Sequence, residues 1–118
     1  MNLESHLRAQ RDRERRLLVP YITGGINDDW LATIEEVAAR GADAIEIGIP
    51  FSDPIMDGPV IQAASQQALL RGATPYCVVA ELAALDIEVP LVVMTYYTPV
   101  HHFGHVRFAE ALASAGVD

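Results

Sequence analysis

Three short apolar runs alternate with segments of helical periodicity, and this alternation is the feature that most restricts the fold. The runs are LLVPYIT (17–23), DAIEIGIP (43–50) and PLVVMTYY (90–97). Each is nearly continuous in apolar side chains, as expected for strands that are buried on both faces. Parallel neighbours in a sheet cannot be joined by a tight hairpin and need a helical crossover. The order therefore predicts an α/β fold with a parallel sheet, either an open doubly wound sheet or a (β/α)8 barrel.

Capping and turn residues set the limits of the predicted helices. The residues Asn27–Asp29 offer N-caps for a helix that ends at Gly41. The next helix begins at Pro59, since proline is favoured at the first helical position, and ends at Gly72. Thr74 caps a further helix. The remaining predicted helices are a polar one at the N-terminus, read as a solvated face, and one over residues 106–116.

Composition narrows the class of partner and the compartment. The formal net charge is -8, which argues against binding to nucleic acid or to an anionic membrane, because both select for clustered Lys and Arg. Cys77 is the single cysteine, so no internal disulfide can form, and no cysteine–histidine spacing suggests zinc. The N-terminus MNLESHLRAQRDR has no apolar signal-peptide core, and no run reaches the roughly 18 apolar residues of a membrane span. We therefore expect a cytoplasmic protein without a metal site.

One carboxylate interrupts the second apolar run. Side chains alternate along a strand, so Glu46 faces away from the three isoleucines of DAIEIGIP, together with Ala44 and Gly48. A buried carboxyl group costs free energy unless it is paired or protonated, which makes Glu46 a candidate general acid and base. Two other interpretations remain open: pairing with an arginine or lysine, or exposure on an edge strand.

A second carboxylate, Asp57, follows in the loop after this strand. The carboxyl ends of parallel strands are where α/β active sites are built, so Asp57 is a candidate acceptor for a substrate N–H. The alternative role is to cap the helix that Pro59 begins. Tyr96 and Tyr97 end the third run, so one of them should line the same opening as Glu46, at the carboxyl ends of the strands. The nearby histidines are interpreted as surface loop residues: His101, His102 and His105.

The last residues repeat an earlier boundary. ARGAD (39–43) leads into the second strand, and SAGVD (114–118) has Gly-x-Asp at the corresponding point. A fourth strand is expected after it by analogy. Since a barrel typically needs ~250 residues, residues 1–118 are interpreted as the N-terminal portion of a single barrel domain, cut short before the fourth strand. A complete small three-stranded domain is the alternative.

Several motifs together resemble a known family. VPYITGG, GADAIEIGIPFSDPIMDGPVIQ, LLRGATP and VVMTYYTPV, in this order, are similar to the N-terminal part of the tryptophan synthase alpha chain family. The block from Gly41 to Gln62 is the most specific part. The resemblance implies a partial (β/α)8 TIM barrel, comprising the first three strands with an extra N-terminal helix.

The resemblance also implies a reaction and roles for three residues, to which the alternation of side chains along the third strand adds Tyr96. The family is a lyase of tryptophan biosynthesis that cleaves indole-3-glycerol phosphate to indole and glyceraldehyde 3-phosphate by a retro-aldol step. Its catalytic glutamate and aspartate correspond to Glu46 and Asp57. Tyr21 corresponds to an aromatic residue at the border of the indole pocket, and Tyr96 is expected to contact substrate.

The same resemblance implies partners. The family forms an α2β2 tetramer with the tryptophan synthase beta chain, and pyridoxal phosphate is expected only in that partner, so no cofactor is assigned to this chain. Two segments differ from the family pattern: the TGGIND loop (23–28) and Thr98, where asparagine is usual. The phosphate-binding loops of the family follow its seventh and eighth strands and have no counterpart in these residues, so we expect the isolated chain to have little or no activity.

Overall fold

A parallel three-stranded sheet, in the order β1-β2-β3, organises the computed structural model, which describes residues 2–118. The strands are β1 (Tyr21–Thr23), β2 (Ile45–Gly48) and β3 (Leu91–Met94). The helices are α1 (Leu3–Asp12), α2 (Trp30–Ala39), α3 (Pro59–Leu70), α4 (Pro75–Leu82), α5 (Tyr97–Phe103) and α6 (His105–Ser114). The predicted alternation of parallel strands and helices is confirmed, as is the helix before the first strand.

The outer face of the sheet carries the hydrophobic core. Ile45 and Ile47 are fully buried, and Leu91 lies beside them in the register of β2 and β3. The helices that follow the strands pack on this face. Their buried apolar residues in this core are Trp30, Ile34, Val78, Val79, Leu82, Phe103 and Phe108. The isoleucine face of DAIEIGIP is therefore the helix-packing face, as predicted.

The first strand is shorter than the apolar run suggested. Residues 17–20 lie outside β1, and Leu18 is 60% exposed. Pro20 has no N–H to donate to a ladder, and the Leu18 N–H is taken by the Asp43 side chain, with Oδ2 at 2.8 Å. The Arg15 guanidinium pairs with the other oxygen of this buried carboxylate, at 3.4 Å. Asp43 thus fastens the segment between α1 and β1 to the start of β2.

The third run also departs from prediction. β3 ends at Met94, and a seven-residue helix, α5, begins at Tyr97 within the run that we assigned wholly to a strand. His101 and His102 consequently lie on α5, and His105 begins α6, so they are helical residues rather than loop residues. Gly104, with φ at 94°, separates the two helices.

The helix caps follow the sequence signals in most places. Thr74 caps α4 by accepting the Cys77 N–H at 3.2 Å, and Pro59 is the first residue of α3. At α2 the N-cap is Asp29, but its side chain makes no cap hydrogen bond. Asn27 Oδ1 instead accepts the Asp29 N–H at 2.9 Å, which closes a turn before the helix.

The two Gly-x-Asp segments enter the sheet in the same way. The Asp43 N–H donates to Leu18 O at 2.8 Å, and the Asp118 N–H donates to Leu91 O at 2.9 Å. Gly41 and Gly116 precede them with φ of 105° and 77°, values that glycine adopts without strain. The repeat read from the sequence is therefore present in the hydrogen bonding. Across residues 2–118, every helix is too short or too polar to cross a membrane.

Candidate active site

Glu46 lies on the inner face of the central strand. In the parallel register, Tyr21 of β1 and Val92 of β3 are its partners on either side, so these three side chains share one face. Because β2 has a neighbour on both edges, Glu46 does not lie on an edge strand. It is half-buried. The exposed-edge interpretation of Glu46 is therefore wrong.

Gly48, the next residue after Glu46 on the inner face, leaves room for the phenol of Tyr21. A Cβ atom placed on Gly48 would lie 1.8 Å from the Tyr21 hydroxyl oxygen and 2.5 Å from Cζ. These distances are far inside van der Waals contact, so the end of the Tyr21 ring occupies the space that glycine leaves. Tyr21 therefore extends along the inner face toward the carboxyl ends of the strands.

The electrostatics of Tyr21 show which groups surround it. Burial is the largest cause that raises its pKa above 10.0, and the charges of Asp57 and Glu46 and the Tyr96 phenol raise it further. Thr23 has a smaller opposing effect, and its hydroxyl lies near Tyr21 without a hydrogen bond of normal geometry. Three of the residues singled out in the sequence therefore lie near enough to Tyr21 to act on its pKa: Glu46, Asp57 and Tyr96.

Asp57 belongs to the loop that joins β2 to α3. Its N–H donates to Pro54 O at 3.1 Å, and the Gln62 side-chain amide donates to its carbonyl at 2.7 Å. The N-cap of α3 is Gly58, and this helix has no side-chain cap hydrogen bond. The capping role considered for Asp57 is therefore not realised.

Tyr96 joins this loop to the third strand. Its hydroxyl oxygen accepts the Met56 N–H at 3.0 Å, and its ring lies 5.3 Å from that of Phe51. Tyr97 is 64% exposed and lies against His101 and His105 instead. Of the two tyrosines, Tyr96 contacts the loop after β2 and acts on the pKa of Tyr21, whereas Tyr97 is exposed.

Neither carboxylate has a structural partner in residues 2–118. Glu46 and Asp57 make no side-chain hydrogen bond and no ion pair there, and their charges act on Tyr21. The arginine or lysine partner considered for Glu46 is therefore absent from the described part of the chain.

Sequence reasoning missed Thr23. Its side chain is only 4% exposed, and Oγ1 has no hydrogen-bond partner within the described residues. Thr23 pairs in register with Gly48, so it shares the inner face with Tyr21 and Glu46. Alternation along the first strand places Thr23 on the same face as Tyr21. Only the register between the first two strands places both of them on the face that carries Glu46.

No metal site accompanies these groups. Within residues 2–118, no set of three or more His, Cys, Asp or Glu side chains is arranged to hold a metal ion. The three histidines that follow β3 are exposed, and the rings of His101 and His105 lie 6.4 Å apart.

Comparison with known proteins identifies the family. The model of the family described as "Tryptophan synthase alpha chain" matches residues 7–118. The chain belongs to the tryptophan synthase alpha chain family. Among curated relatives, the alpha chain of Streptococcus mutans is 41% identical over 119 residues, which cover 98% of this chain and 46% of the relative. That of Halorhodospira halophila is 44% identical over 121 residues, covering 98% and 44%.

Solved structures of family members superpose closely on this chain. Tryptophan synthase subunit alpha from Legionella pneumophila matches with a TM-score of 0.90 and 33% identity, over 100% of this chain and 47% of that one. A tryptophan synthase chain from M. tuberculosis matches with a TM-score of 0.91 and 36% identity, over 98% and 48%. The fold is therefore the first three strands of the TIM barrel of this family, with the extra N-terminal helix. The chain spans slightly less than half the length of the relatives it matches.

Proposed function

We propose that this chain carries the acid–base residues of an indole-3-glycerol phosphate lyase. The observation that carries the proposal is that Glu46 and Asp57 both act on the pKa of Tyr21, while neither carboxylate makes a side-chain hydrogen bond or ion pair within residues 2–118. Membership of the tryptophan synthase alpha chain family supplies the reaction. The product indole would pass to a beta chain, which holds pyridoxal phosphate, while this chain needs no cofactor. A cytoplasmic location fits this role.

The chemistry gives each carboxylate a distinct task. Cleavage of the C3–C3′ bond requires a proton at indole C3 and the loss of a proton from the C3′ hydroxyl, and one carboxyl group can perform both transfers. Glu46 is proposed as this group, because it lies on the central strand and makes no side-chain hydrogen bond or ion pair within residues 2–118. Protonation of C3 leaves positive charge on the ring near N1–H, which Asp57 stabilises by accepting that N–H.

Tyr21 and Tyr96 complete the proposed site as its aromatic boundary. Tyr21 extends over Gly48 on the same face as Glu46, where a planar indole ring could lie against it. Tyr96 lies on the other side, at the end of β3. These two rings are proposed to orient indole, and the neutral form of Tyr21 is favoured there by its raised pKa.

A chimera tests the proposal while supplying the rest of a barrel. Residues 1–118 replace the matching segment of the Streptococcus mutans alpha chain, which is 41% identical, and indole release from indole-3-glycerol phosphate is measured with and without a beta chain. Glu46→Gln should remove nearly all activity, about 10²–10⁴-fold. Asp57→Asn should cost about 10²-fold. Asp53→Asn is the matched control, an exposed carboxylate in the same loop that contacts Ser52, and should leave the rate unchanged.

A non-catalytic chain that binds a beta-type partner is the second candidate. It draws support from the coverage, since the chain spans under half of each relative. For the 118-residue chain alone we expect little or no indole. Glu46-dependent indole release by this chain, alone or with a beta chain, would reject the second candidate. An active chimera that is unaffected by Glu46→Gln would reject the first.

A further inference from the structure

The loop that carries Asp57 has few contacts to hold its tip in place. Ile55 and Met56 are 83% and 84% exposed, so the tip gains almost nothing from apolar burial. At the backbone of Met56 and Asp57, two hydrogen bonds come from within the same segment of chain, from Pro54 and Gln62. These bonds shape the turn, but they do not fix its position relative to the neighbouring strands.

Tyr96 supplies the long-range contact. Its hydroxyl oxygen accepts the Met56 N–H at 3.0 Å, across 40 positions of sequence, and its ring packs on Phe51 at the start of the loop. Tyr96 is the N-cap residue of α5, two positions after the end of β3. It therefore contacts the loop at its start, through the ring of Phe51, and at its tip, through the backbone of Met56.

We propose that Tyr96 is a positioning residue, which holds the Asp57 carboxylate at the mouth of the sheet before substrate arrives. The inference rests on the proposed function, because it assigns Tyr96 to the acceptor of the substrate N–H. It differs from the expectation that Tyr96 only contacts substrate, since its hydroxyl oxygen already accepts a hydrogen bond from the loop. Pre-ordering of this kind lowers the entropic cost of binding and keeps the reacting groups aligned.

The decisive variant is Tyr96→Phe, which removes the acceptor and keeps the ring on Phe51. Its matched control is Tyr97→Phe, an identical change at the next residue, whose ring contacts only histidines among the described residues. The first readout is the rate of hydrogen exchange at the Met56 amide, which NMR measures in the 118-residue chain. Tyr96→Phe should speed exchange between about twofold and tenfold, the loss expected for one neutral hydrogen bond. Tyr97→Phe should leave it unchanged.

The second readout separates positioning from a merely structural role. Indole and 1-benzofuran have nearly the same shape, but only indole has an N–H, so their affinity ratio reports on Asp57. The ratio is measured by NMR titration in the chimera described above. Wild type should prefer indole by about tenfold or more, Asp57→Asn should abolish the preference, and Tyr96→Phe should reduce it several-fold without weakening benzofuran binding.

The outcomes distinguish this inference from the proposed function. If Met56 exchange is unchanged in Tyr96→Phe, or if that variant retains the full preference for indole, the positioning role is wrong while the lyase proposal stands. If wild type itself shows no preference, the role of Asp57 in the proposed function fails. Exchange at Met56 then decides alone whether Tyr96 holds the loop.

Discussion

The contact between Gly48 and Tyr21 yields the sharpest test of the site's geometry. In Gly48→Ala the new Cβ would lie 1.8 Å from the Tyr21 oxygen, 2.5 Å from Cζ and 2.9 Å from Cε2. The ring must move, since real Cβ contacts do not approach within 3.0 Å. Forcing a methyl group into filled space costs about 2–3 kcal/mol, and the loss of glycine's extra unfolded-state entropy returns about 0.5–1 kcal/mol. We therefore expect a net destabilisation of about 1–2.5 kcal/mol.

A double-mutant cycle shows whether Tyr21 is the cause. Unfolding is followed by circular dichroism in urea, where a drop of this size lowers the midpoint by about 1 M if the m-value is about 1.5 kcal/mol/M. In a Tyr21→Ala background the space beside Gly48 is empty, so Gly48→Ala should be neutral or slightly stabilising. The coupling free energy should be about 1.5 kcal/mol or more. Equal destabilisation in both backgrounds would refute the packing of Tyr21 over Gly48.

Three further predictions concern charge and packing elsewhere in the chain. The pKa of Tyr21 is raised above 10.0 in the folded chain, so its neutral form stabilises the fold fully below pH 10. This contribution is lost as pH rises through the folded pKa. The fall in the free energy of unfolding between pH 9 and 11 should therefore be smaller in Tyr21→Phe than in wild type. Asp43→Ala removes the buried acceptor of the Leu18 N–H and should cost about 1.5–3 kcal/mol in urea unfolding, whereas an unchanged midpoint would contradict its anchoring role. Ile47→Ala empties a fully buried core position and should cost about 2–5 kcal/mol in the same assay, and a loss below about 1 kcal/mol would mean that this face is not the core.

Periodicity and turn chemistry predicted the order of the elements except for α5. Strand and helix identities follow from local signals, such as Pro59 at the first position of α3 and Thr74 at the cap of α4. What they could not give was strand length. β1 begins only at Tyr21, after the Leu18 N–H has been taken by the side chain of Asp43, and β3 ends before α5 begins at Tyr97. The contact with Asp43 is made across 25 positions of sequence, so the first apolar run alone does not report it.

The candidate site was predictable in part for the same reason. Alternation predicted that Glu46 lies on the face opposite the isoleucines, and the family resemblance predicted that Asp57 belongs to the same site. The filling of the Gly48 space by Tyr21 depends on the register of β1 against β2, which is a property of the assembled sheet. The hydrogen bond between Tyr96 and the Met56 N–H joins residues 40 positions apart, so no local pattern in the sequence reports it.

Asp43 and Glu46 lie on the same segment, and the free energy of unfolding of their variants can distinguish a structural carboxylate from a functional one. Asp43 and Glu46 lie three residues apart, yet Asp43 is 3% exposed and accepts a backbone N–H, whereas Glu46 has no partner within residues 2–118. A partly buried charged residue that makes no stabilising contact is expected at a functional site. Glu46→Gln should therefore change the free energy of unfolding by no more than about 0.5 kcal/mol, while Asp43→Asn lowers it by more than about 1 kcal/mol. Comparable losses in the two variants would mean that Glu46 supports the fold, and the case for it as the proton-transfer group would lose its structural basis.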